Sequence, residues 1–256
     1  MTVSGGNQEE PQTEGGRSHP AVRSERKIAV IRFPGSNCDL DVVHALRDVV
    51  KINCELVWHA DFKGSEYAGV VLPGGFSYGD HLRAGIIAAF SPAVKEVKQM
   101  ASEGKPVIGI CNGFQILTES GLLPGALLKN EKLNFVCKWV SLRIDSEKSF
   151  FTKGLSGKRL ELPVAHGEGR YYIEEDRLRE MERNGQIVFR YAARGPEDNE
   201  NPNPNGSLSN IAGVCNEQGN VVGLMPHPER ACEKLLGGED GLMLLQKFIE
   251  IADRRK

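Results

Sequence analysis

Short apolar strands that alternate with helical segments constrain the fold of this 256-residue chain more than any other feature. The runs Lys27–Phe33, Cys54–Trp58, Gly69–Leu72 and Pro106–Ile110 are rich in apolar residues and bounded by turn residues. Nearly continuous apolar strands indicate a parallel sheet that is covered on both faces. The sequence therefore predicts a three-layer α/β sandwich around a mostly parallel central sheet.

The helical segments between these strands have start signals of their own. Ser36 and Asp39 form a capping-box pattern, which predicts a helix directly after the first strand. A second helix is expected over residues 85–100 with a break at Pro92, and a third begins at Asn112. A last helix is expected near the C-terminus.

The middle of the chain has a different pattern, in which strands follow one another through short turns. This pattern predicts a small antiparallel extension of the sheet. Residues 195–210 form a polar loop, because repeated Asn-Pro pairs block both helices and strand ladders. The expected strands here are Val136–Ile144, Leu160–Val164, Arg170–Ile173 and Ile187–Tyr191, followed by a hairpin of Ile211–Cys215 with Asn220–Met225.

Composition and charge exclude several classes of protein. The formal net charge is −2 and no basic block occurs, which argues against nucleic-acid binding. No apolar run approaches the length of a membrane helix and no secretory signal is recognisable, so we expect a cytoplasmic protein that does not bind membranes. Six cysteines without C-x-x-C spacing argue against both a disulfide framework and a metal site.

Two regions of the chain differ sharply in composition. Residues 1–26 are rich in Gly, Glu, Gln, Pro and Ser and contain almost no large apolar residue, which predicts a disordered tail. Residues 27–256 carry all the strand and helix patterns, and we expect them to form one domain.

The most informative segment is the buried strand that runs into Gly109-Ile110-Cys111-Asn112-Gly113 and continues as a helix. This G-x-C-x-G has the construction of a nucleophile elbow, in which a sharp strand-to-helix turn exposes a reactive side chain. The helix N-terminus favours the thiolate of Cys111. The backbone N–H of Asn112 is then available to a developing oxyanion. Taken alone, the motif fits a buried structural cysteine equally well.

A second motif supplies the partners of a nucleophile. Each proline in Met225-Pro226-His227-Pro228-Glu229 holds the residue before it in an extended conformation. Residues i and i+2 of an extended chain project to the same side, so Glu229 is placed to orient the imidazole of His227. Cys111, His227 and Glu229 therefore form a candidate catalytic triad.

With these residues the chain resembles the class I (triad) glutamine amidotransferases. That family is marked by a G-x-C-x-G-x-Q elbow, here residues 109–115, a C-terminal His-x-Glu and an upstream Pro-Gly-Gly loop, here residues 73–75. The segments at residues 32–39, 73–80, 165–170 and 223–230 are similar to one branch of the family, the glutaminase subunits of phosphoribosylformylglycinamidine synthase in purine biosynthesis. The resemblance covers roughly residues 27–252 and implies a flavodoxin-like sandwich.

The resemblance implies roles for further residues. The N–H of Gly75 would join that of Asn112 in an oxyanion hole, and Gln115 would help to hold the substrate, although a glutamine on the helix surface is the alternative. His166 and Gly167 lie in a turn that is expected to face the α-carboxylate and α-amino groups of glutamine. A loop of the form G-x-x-x-x-G-K-[ST] is absent from the sequence, so no cofactor is expected in this chain. ATP and Mg²⁺ would be bound by a large synthase subunit, which a small accessory subunit would accompany.

Three alternatives to this interpretation differ in class. The chain could be the glutaminase of another class I amidotransferase, which the segments at residues 76–80 and 166–170 argue against. It could be a cysteine hydrolase or peptidase on a similar sandwich, which would lack His227-Pro228-Glu229 as a triad partner. An inactive regulatory subunit is disfavoured by the complete triad.

Overall fold

In a computed structural model of the chain, the structure describes Met1 and residues 26–195, 197 and 201–252. Nearly all of the tail expected over residues 1–26 lies outside the described residues. The strands are β1 Ile28–Arg32, β2 Cys54–Trp58, β3 Gly69–Leu72, β4 Val107–Ile110, β5 Ala126–Leu128, β6 Val136–Ile144, β7 Arg159–His166, β8 Arg170–Tyr172, β9 Ile187–Tyr191, β10 Ile211–Cys215 and β11 Val221–Leu224. The α-helices are α1 Asp39–Val43, α2 Ile86–Ala89, α3 Pro92–Ser102, α4 Asn112–Glu119, α5 Glu175–Arg183, α6 Leu242–Leu245 and α7 Lys247–Ala252.

The main sheet has nine strands in the order β2-β1-β3-β4-β11-β10-β9-β6-β7. The first five are parallel and have the 2-1-3-4-5 order of flavodoxin-like sheets. The last four are added by antiparallel pairing. The predicted fold class is therefore confirmed, with the antiparallel extension continuous with the parallel sheet.

Burial explains why the parallel strands form the centre of the molecule. In β1 the consecutive residues from Ile28 to Ile31 are all fully buried, and β3, β4 and β11 are buried along their whole length. Successive side chains of a strand point to opposite faces, so both faces of the sheet are covered. Helix α1 packs against β1 and β2, and α4 packs against β3, β4 and β11.

Two local predictions were wrong. Ser36 does not cap a helix: its hydroxyl accepts a hydrogen bond from the N–H of Phe33, and α1 begins after Cys38. The side chain of Asp39 pairs instead with Arg32. The expected strand at Arg170–Ile173 is β8, which pairs with β5 in a separate two-stranded sheet and does not extend the main one.

No helix in the described part of the chain has the length and apolarity needed to cross a membrane.

The topology brings distant segments to one edge of the sheet. Ligands of open α/β sheets bind outside the carboxyl ends of the strands, where the strand order reverses. The reversal here lies between β1 and β3, and the loops after β1, β3, β4 and β11 meet at this edge. Cys111 follows β4, and His227 and Glu229 follow β11.

The elbow between β4 and α4 depends on close backbone packing. A Cβ on Gly113 would lie 1.9 Å from the carbonyl oxygen of Leu72 in β3, and one on Gly109 would lie 2.6 Å from the carbonyl group of Gly113. The two glycines therefore let the first turn of α4 press directly on the sheet.

We predict that Gly113→Ala lowers the free energy of unfolding by about 1–3 kcal/mol or more, because the added methyl group forces backbone to move. Gly195 has no atom within 4 Å of its would-be Cβ, so Gly195→Ala is the matched control and should change stability little. Urea unfolding followed by circular dichroism gives both values. Equal stabilities of the two variants would contradict the packing argument.

Candidate active site

Cys111 occupies the strained turn that the elbow motif predicts. Its φ of 51° and ψ of −105° lie where non-glycine residues are rarely found. The N–H of Cys111 donates to the carbonyl oxygen of Leu224 at 2.8 Å, and its own carbonyl oxygen accepts from the first turn of α4. These bonds hold the side chain at the N-terminus of the helix, with Sγ 3.7 Å from the carbonyl oxygen of Ala165.

His227 and Glu229 form a buried pair directly after β11. The imidazole Nδ1 lies 2.6 Å from Oε1 of Glu229, and both side chains are almost fully buried. Among the described residues, His227 Nε2 and Glu229 Oε2 are buried without a hydrogen-bond partner. The carboxylate therefore fixes one nitrogen of the ring and leaves the other available.

The charge of this pair sets the proton affinity of His227. Burial alone would lower the pKa of the imidazole, but the negative charge of Glu229 and the contact with the Cys111 sulfur raise the pKa well above its ordinary value. The arrangement favours a protonated imidazole beside the Cys111 sulfur.

Gly74 lies between the candidate nucleophile and its candidate base. A Cβ on Gly74 would lie 2.8 Å from Cε1 of His227, 3.5 Å from Cβ of Cys111 and 2.9 Å from Sγ of Cys38. Three side chains thus converge on one position that only a glycine can occupy. The cavity they share has a volume of about 120 Å³.

The neighbouring Gly75 has a φ of +144°, which glycine adopts most readily. The carbonyl oxygen of Gly74 accepts from the N–H groups of Asn37 and Cys38 at 3.4 and 3.2 Å. Because the C=O and N–H of a trans peptide point in opposite directions, the N–H of Gly75 points away from these two donors.

A buried amide network connects α4 with two loops. The side chain of Asn112 accepts from the N–H of Ser77 and donates to Oε1 of Gln115 at 2.9 Å. Gln115 donates in turn to the carbonyl oxygen of Glu168 at 2.6 Å. Gln115 is 4% exposed, so the alternative of a glutamine on the helix surface was wrong. Its substrate contact stays a prediction.

His166 is buried in a polar network that the sequence did not reveal. Its Nδ1 lies 3.1 Å from Oδ1 of Asn130, and Nε2 lies 3.4 Å from Nδ2 of Asn205. Burial, with the nearby charge of His227, lowers the pKa of His166 to about 4, so the ring is neutral at pH 7. The network also fixes Gly167, whose carbonyl oxygen accepts from the N–H of Asn130. Substrate contacts of His166 and Gly167 remain predictions.

Sequence reasoning missed three residues of the site. Asn205 lies in the segment interpreted as a polar loop, yet it is buried and donates to the carbonyl oxygen of Gly169 at 2.8 Å. Asn130 follows β5, a strand that was not predicted. Cys38 is 3% exposed and accepts from Arg230 at 3.2 Å. No motif or spacing in the sequence indicates that Cys38 lies beside His227.

Comparison with known proteins agrees with this fold and this arrangement. Residues 25–237 match the family described as the CobB/CobQ-like glutamine amidotransferase domain. A glutamine amidotransferase from Thermotoga maritima shares the fold at a TM-score of 0.54 and 17% identity, covering 90% of this chain and 99% of that one. The chain belongs to the glutamine amidotransferases and is an enzyme of that family.

Closer relatives narrow the family further. The phosphoribosylformylglycinamidine synthase subunit PurQ of Aquifex aeolicus is 57% identical over 219 residues, 85% of this chain and 96% of the relative. The subunit of the same description from Nostoc sp. is 52% identical over 225 residues, covering 88% and 97%. A chain of the solved structure described as PurLQS from Thermotoga maritima has a TM-score of 0.77 at 44% identity, covering 88% and 98%. Within the amidotransferases, the chain belongs to this PurQ family.

The network around His166 generates a prediction about pH. The unfolded chain binds a proton at His166 near pH 6.5, whereas the folded chain does so only near pH 4. The contribution of His166 to stability is therefore lost as the pH falls from about 6.5 to about 4. We expect His166→Gln to reduce the fall in unfolding free energy over this range, measured by urea unfolding at a series of pH values.

The exposed His81 offers the matched control, because His81→Gln removes a histidine at the surface and leaves the buried network of His166 intact. Profiles of His166→Gln and wild type that run parallel between pH 6.5 and 4 would contradict the assignment.

Proposed function

We propose that this chain is the glutaminase subunit of phosphoribosylformylglycinamidine synthase, with residues 27–256 as a single amidotransferase domain. It would hydrolyse L-glutamine to glutamate and ammonia, and a partner would use the ammonia to convert formylglycinamide ribonucleotide to formylglycinamidine ribonucleotide. The observation that carries the proposal is the convergence of Cys111 and the His227–Glu229 pair around Gly74. The names of the relatives supply the acceptor.

The first half of the reaction follows from the charges at the site. The Cys111 thiolate attacks the side-chain carbonyl carbon of glutamine, forming a C–S bond and a tetrahedral oxyanion. The imidazolium of His227 gives its proton to the nitrogen as the C–N bond breaks, and ammonia leaves. Its raised pKa favours the presence of this proton before the attack. Glu229 holds the ring in the orientation that directs Nε2 toward the cavity.

The second half of the reaction regenerates the enzyme. Neutral His227 takes a proton from water, which attacks the glutamyl thioester and releases glutamate and the thiolate. The N–H groups of Asn112 and Gly75 are the proposed donors to both oxyanions. Asn112 is the first residue of α4, so its N–H has no partner inside the helix.

Substrate recognition is proposed to use the turn after β7 and the first turn of α4. Gln115 holds the carbonyl oxygen of Glu168, and the His166 network fixes the backbone around Gly167. These contacts hold the turn in place beside Cys111. The α-carboxylate and α-amino groups of glutamine would bind against this turn.

The nucleophile assignment can be tested directly. We expect Cys111→Ala to reduce glutamate release by a factor of roughly 10³ or more, because the nucleophile and its base act as a unit. Unfolding by urea should be nearly unchanged. An electrophilic glutamine analogue should modify Cys111 alone among the six cysteines, as read by peptide mass spectrometry.

Cys54→Ala is the matched control. Cys54 is a buried cysteine at the first residue of β2, whereas the loops of the site follow the carboxyl ends of the strands. It should keep wild-type glutamate release and wild-type labelling. Undiminished glutamine hydrolysis by Cys111→Ala would remove the basis of the proposed function.

The closed state of the site supports a requirement for a partner. Cys111 is 5% exposed, and the cavity of about 120 Å³ is well below the roughly 300 Å³ at which small-molecule sites begin. The chain needs no cofactor for glutamine hydrolysis, since nucleophile, base and orienting carboxylate are its own. ATP and Mg²⁺ would be bound by the large synthase subunit, accompanied by a small accessory subunit, in the cytoplasm.

We predict that the isolated chain hydrolyses glutamine slowly. The synthase, with its own ligands bound, should accelerate glutamate release roughly tenfold or more. The expected cause is a rotation of the peptide between Gly74 and Gly75. Steady-state glutamate release with and without the synthase measures the effect. A complex containing Cys111→Ala corrects for any hydrolysis by the partner. A rate for the isolated chain that the synthase leaves unchanged would exclude this gating.

A further inference from the structure

The turn at residues 166–169 leads from β7 to β8 and is held by side chains from two distant segments of the chain. It begins beside the proposed nucleophile, since Sγ of Cys111 lies 3.7 Å from the carbonyl oxygen of Ala165. Gln115 donates to the carbonyl oxygen of Glu168 within the turn at 2.6 Å. The conformation of this turn therefore shapes the site next to Cys111.

Asn130, two residues after β5, binds the turn through both ends of its side chain. Its Nδ2 donates to the carbonyl oxygens of Asn134 and His166, both at 2.9 Å, and its Oδ1 accepts from the N–H of Gly169 at 3.0 Å. These partners fix which end of the amide is the oxygen, because two of them only accept and one only donates. The same Oδ1 lies 3.1 Å from Nδ1 of His166, so Nδ1 carries the hydrogen and donates it.

Asn205 holds the turn from the other side, in the loop between β9 and β10. Its Oδ1 accepts from the N–H of Ser207 at 3.0 Å, so Nδ2 is the end that faces the turn. Nδ2 donates to the carbonyl oxygen of Gly169 at 2.8 Å and, over a longer distance of 3.4 Å, to Nε2 of His166. Both ring nitrogens of His166 are thus engaged by asparagines, one as a donor and the other as an acceptor.

These contacts are costly to lose because the groups are buried. Asn130, His166 and Asn205 are each at most 2% exposed, and a buried polar group without its partner is strongly unfavourable. Burial also lowers the pKa of His166 to about 4, which leaves Nε2 able to accept at pH 7. A Cβ on Gly169 would lie 2.4 Å from Cε1 of the ring, so the imidazole packs directly against the backbone of the turn. Loss of either asparagine would therefore act first on the turn.

We propose that Asn130 and Asn205 are positioning residues for glutamine recognition, which hold residues 166–169 in the binding conformation without touching the substrate. This inference rests on the proposed function. Cys111 follows β4 and His227 follows β11, and neither asparagine is hydrogen-bonded to them. Removing an asparagine lowers the fraction of chains whose turn is ordered, which weakens glutamine binding and leaves the turnover of the bound complex unchanged.

The kinetic experiment compares wild type, Asn205→Ala, Asn130→Ala and the matched control Asn216→Ala, each with saturating synthase. Asn216 lies in the turn between β10 and β11, at the opposite end of β11 from His227, and its side chain also donates and accepts hydrogen bonds. Both site variants should raise KM for glutamine roughly tenfold or more and change kcat by no more than about twofold. Asn216→Ala should keep both constants. An unchanged KM in Asn205→Ala, or a fall in kcat as large as the rise in KM, would overturn the proposal.

A second readout needs no glutamine. Nitrogen-15 NMR of the histidine-labelled chain, with His166 assigned by comparison with His166→Gln, should show the neutral Nδ1–H tautomer in the wild type at pH 7 and a mixture of tautomers in Asn130→Ala. If Asn130→Ala does not fold, the wild-type tautomer and the KM of Asn205→Ala remain as tests. A neutral Nε2–H tautomer or a protonated ring in the wild type would overturn the proposal. The expected tautomer in a wild type that releases no glutamate would count against the proposed function alone.

Discussion

The contact between the first turn of α4 and β3 is the constraint on which the site depends. A Cβ on Gly113 would lie 1.9 Å from the carbonyl oxygen of Leu72, so the helix can approach the sheet this closely only with glycine at this position. The chain leaves β4 and enters α4 within a single residue, and Cys111 takes a positive φ to do so. Such a conformation costs about 1–3 kcal/mol, which the packing of the surrounding strands offsets.

The buried pair of His227 and Glu229 is the second unfavourable arrangement that the fold sustains. Two ionisable groups with almost no exposure lose their hydration, and one short hydrogen bond recovers only part of that free energy. Each group also keeps one polar atom without a partner in the described structure. A core selected only for stability would have apolar residues here. Orphaned polar atoms beside a strained cysteine mark a site prepared for a ligand.

Sequence patterns predicted the structural features that are set by residues close together in the chain. The bounds of β2, β3, β6, β9 and β10 agree with the sequence because apolar runs between turn residues have few alternatives. The capping box failed because Ser36 bonds back to Phe33, one of two competing local partners that the sequence does not rank. The strand at Arg170 was recognised, but its partner β5 was not, since pairing joins segments far apart in the chain.

The same distinction applies to the site. Cys111 with Asn112, and His227 with Glu229, are near neighbours in the sequence, so motifs could identify them. Cys38 meets His227 only because β1 and β11 end at the same edge of the sheet, and no spacing rule contains that information.

The proposed gating would act through the peptide between Gly74 and Gly75. Its carbonyl oxygen accepts two long hydrogen bonds, from the N–H groups of Asn37 at 3.4 Å and Cys38 at 3.2 Å; the first distance lies beyond the usual range for backbone bonds and the second at its upper end. Glycine on both sides of the peptide removes the steric barrier to rotation. Turning it would give up little hydrogen-bond energy and would redirect the N–H of Gly75. Under the proposed gating, a single peptide unit would therefore set whether the N–H of Gly75 is available to the oxyanion.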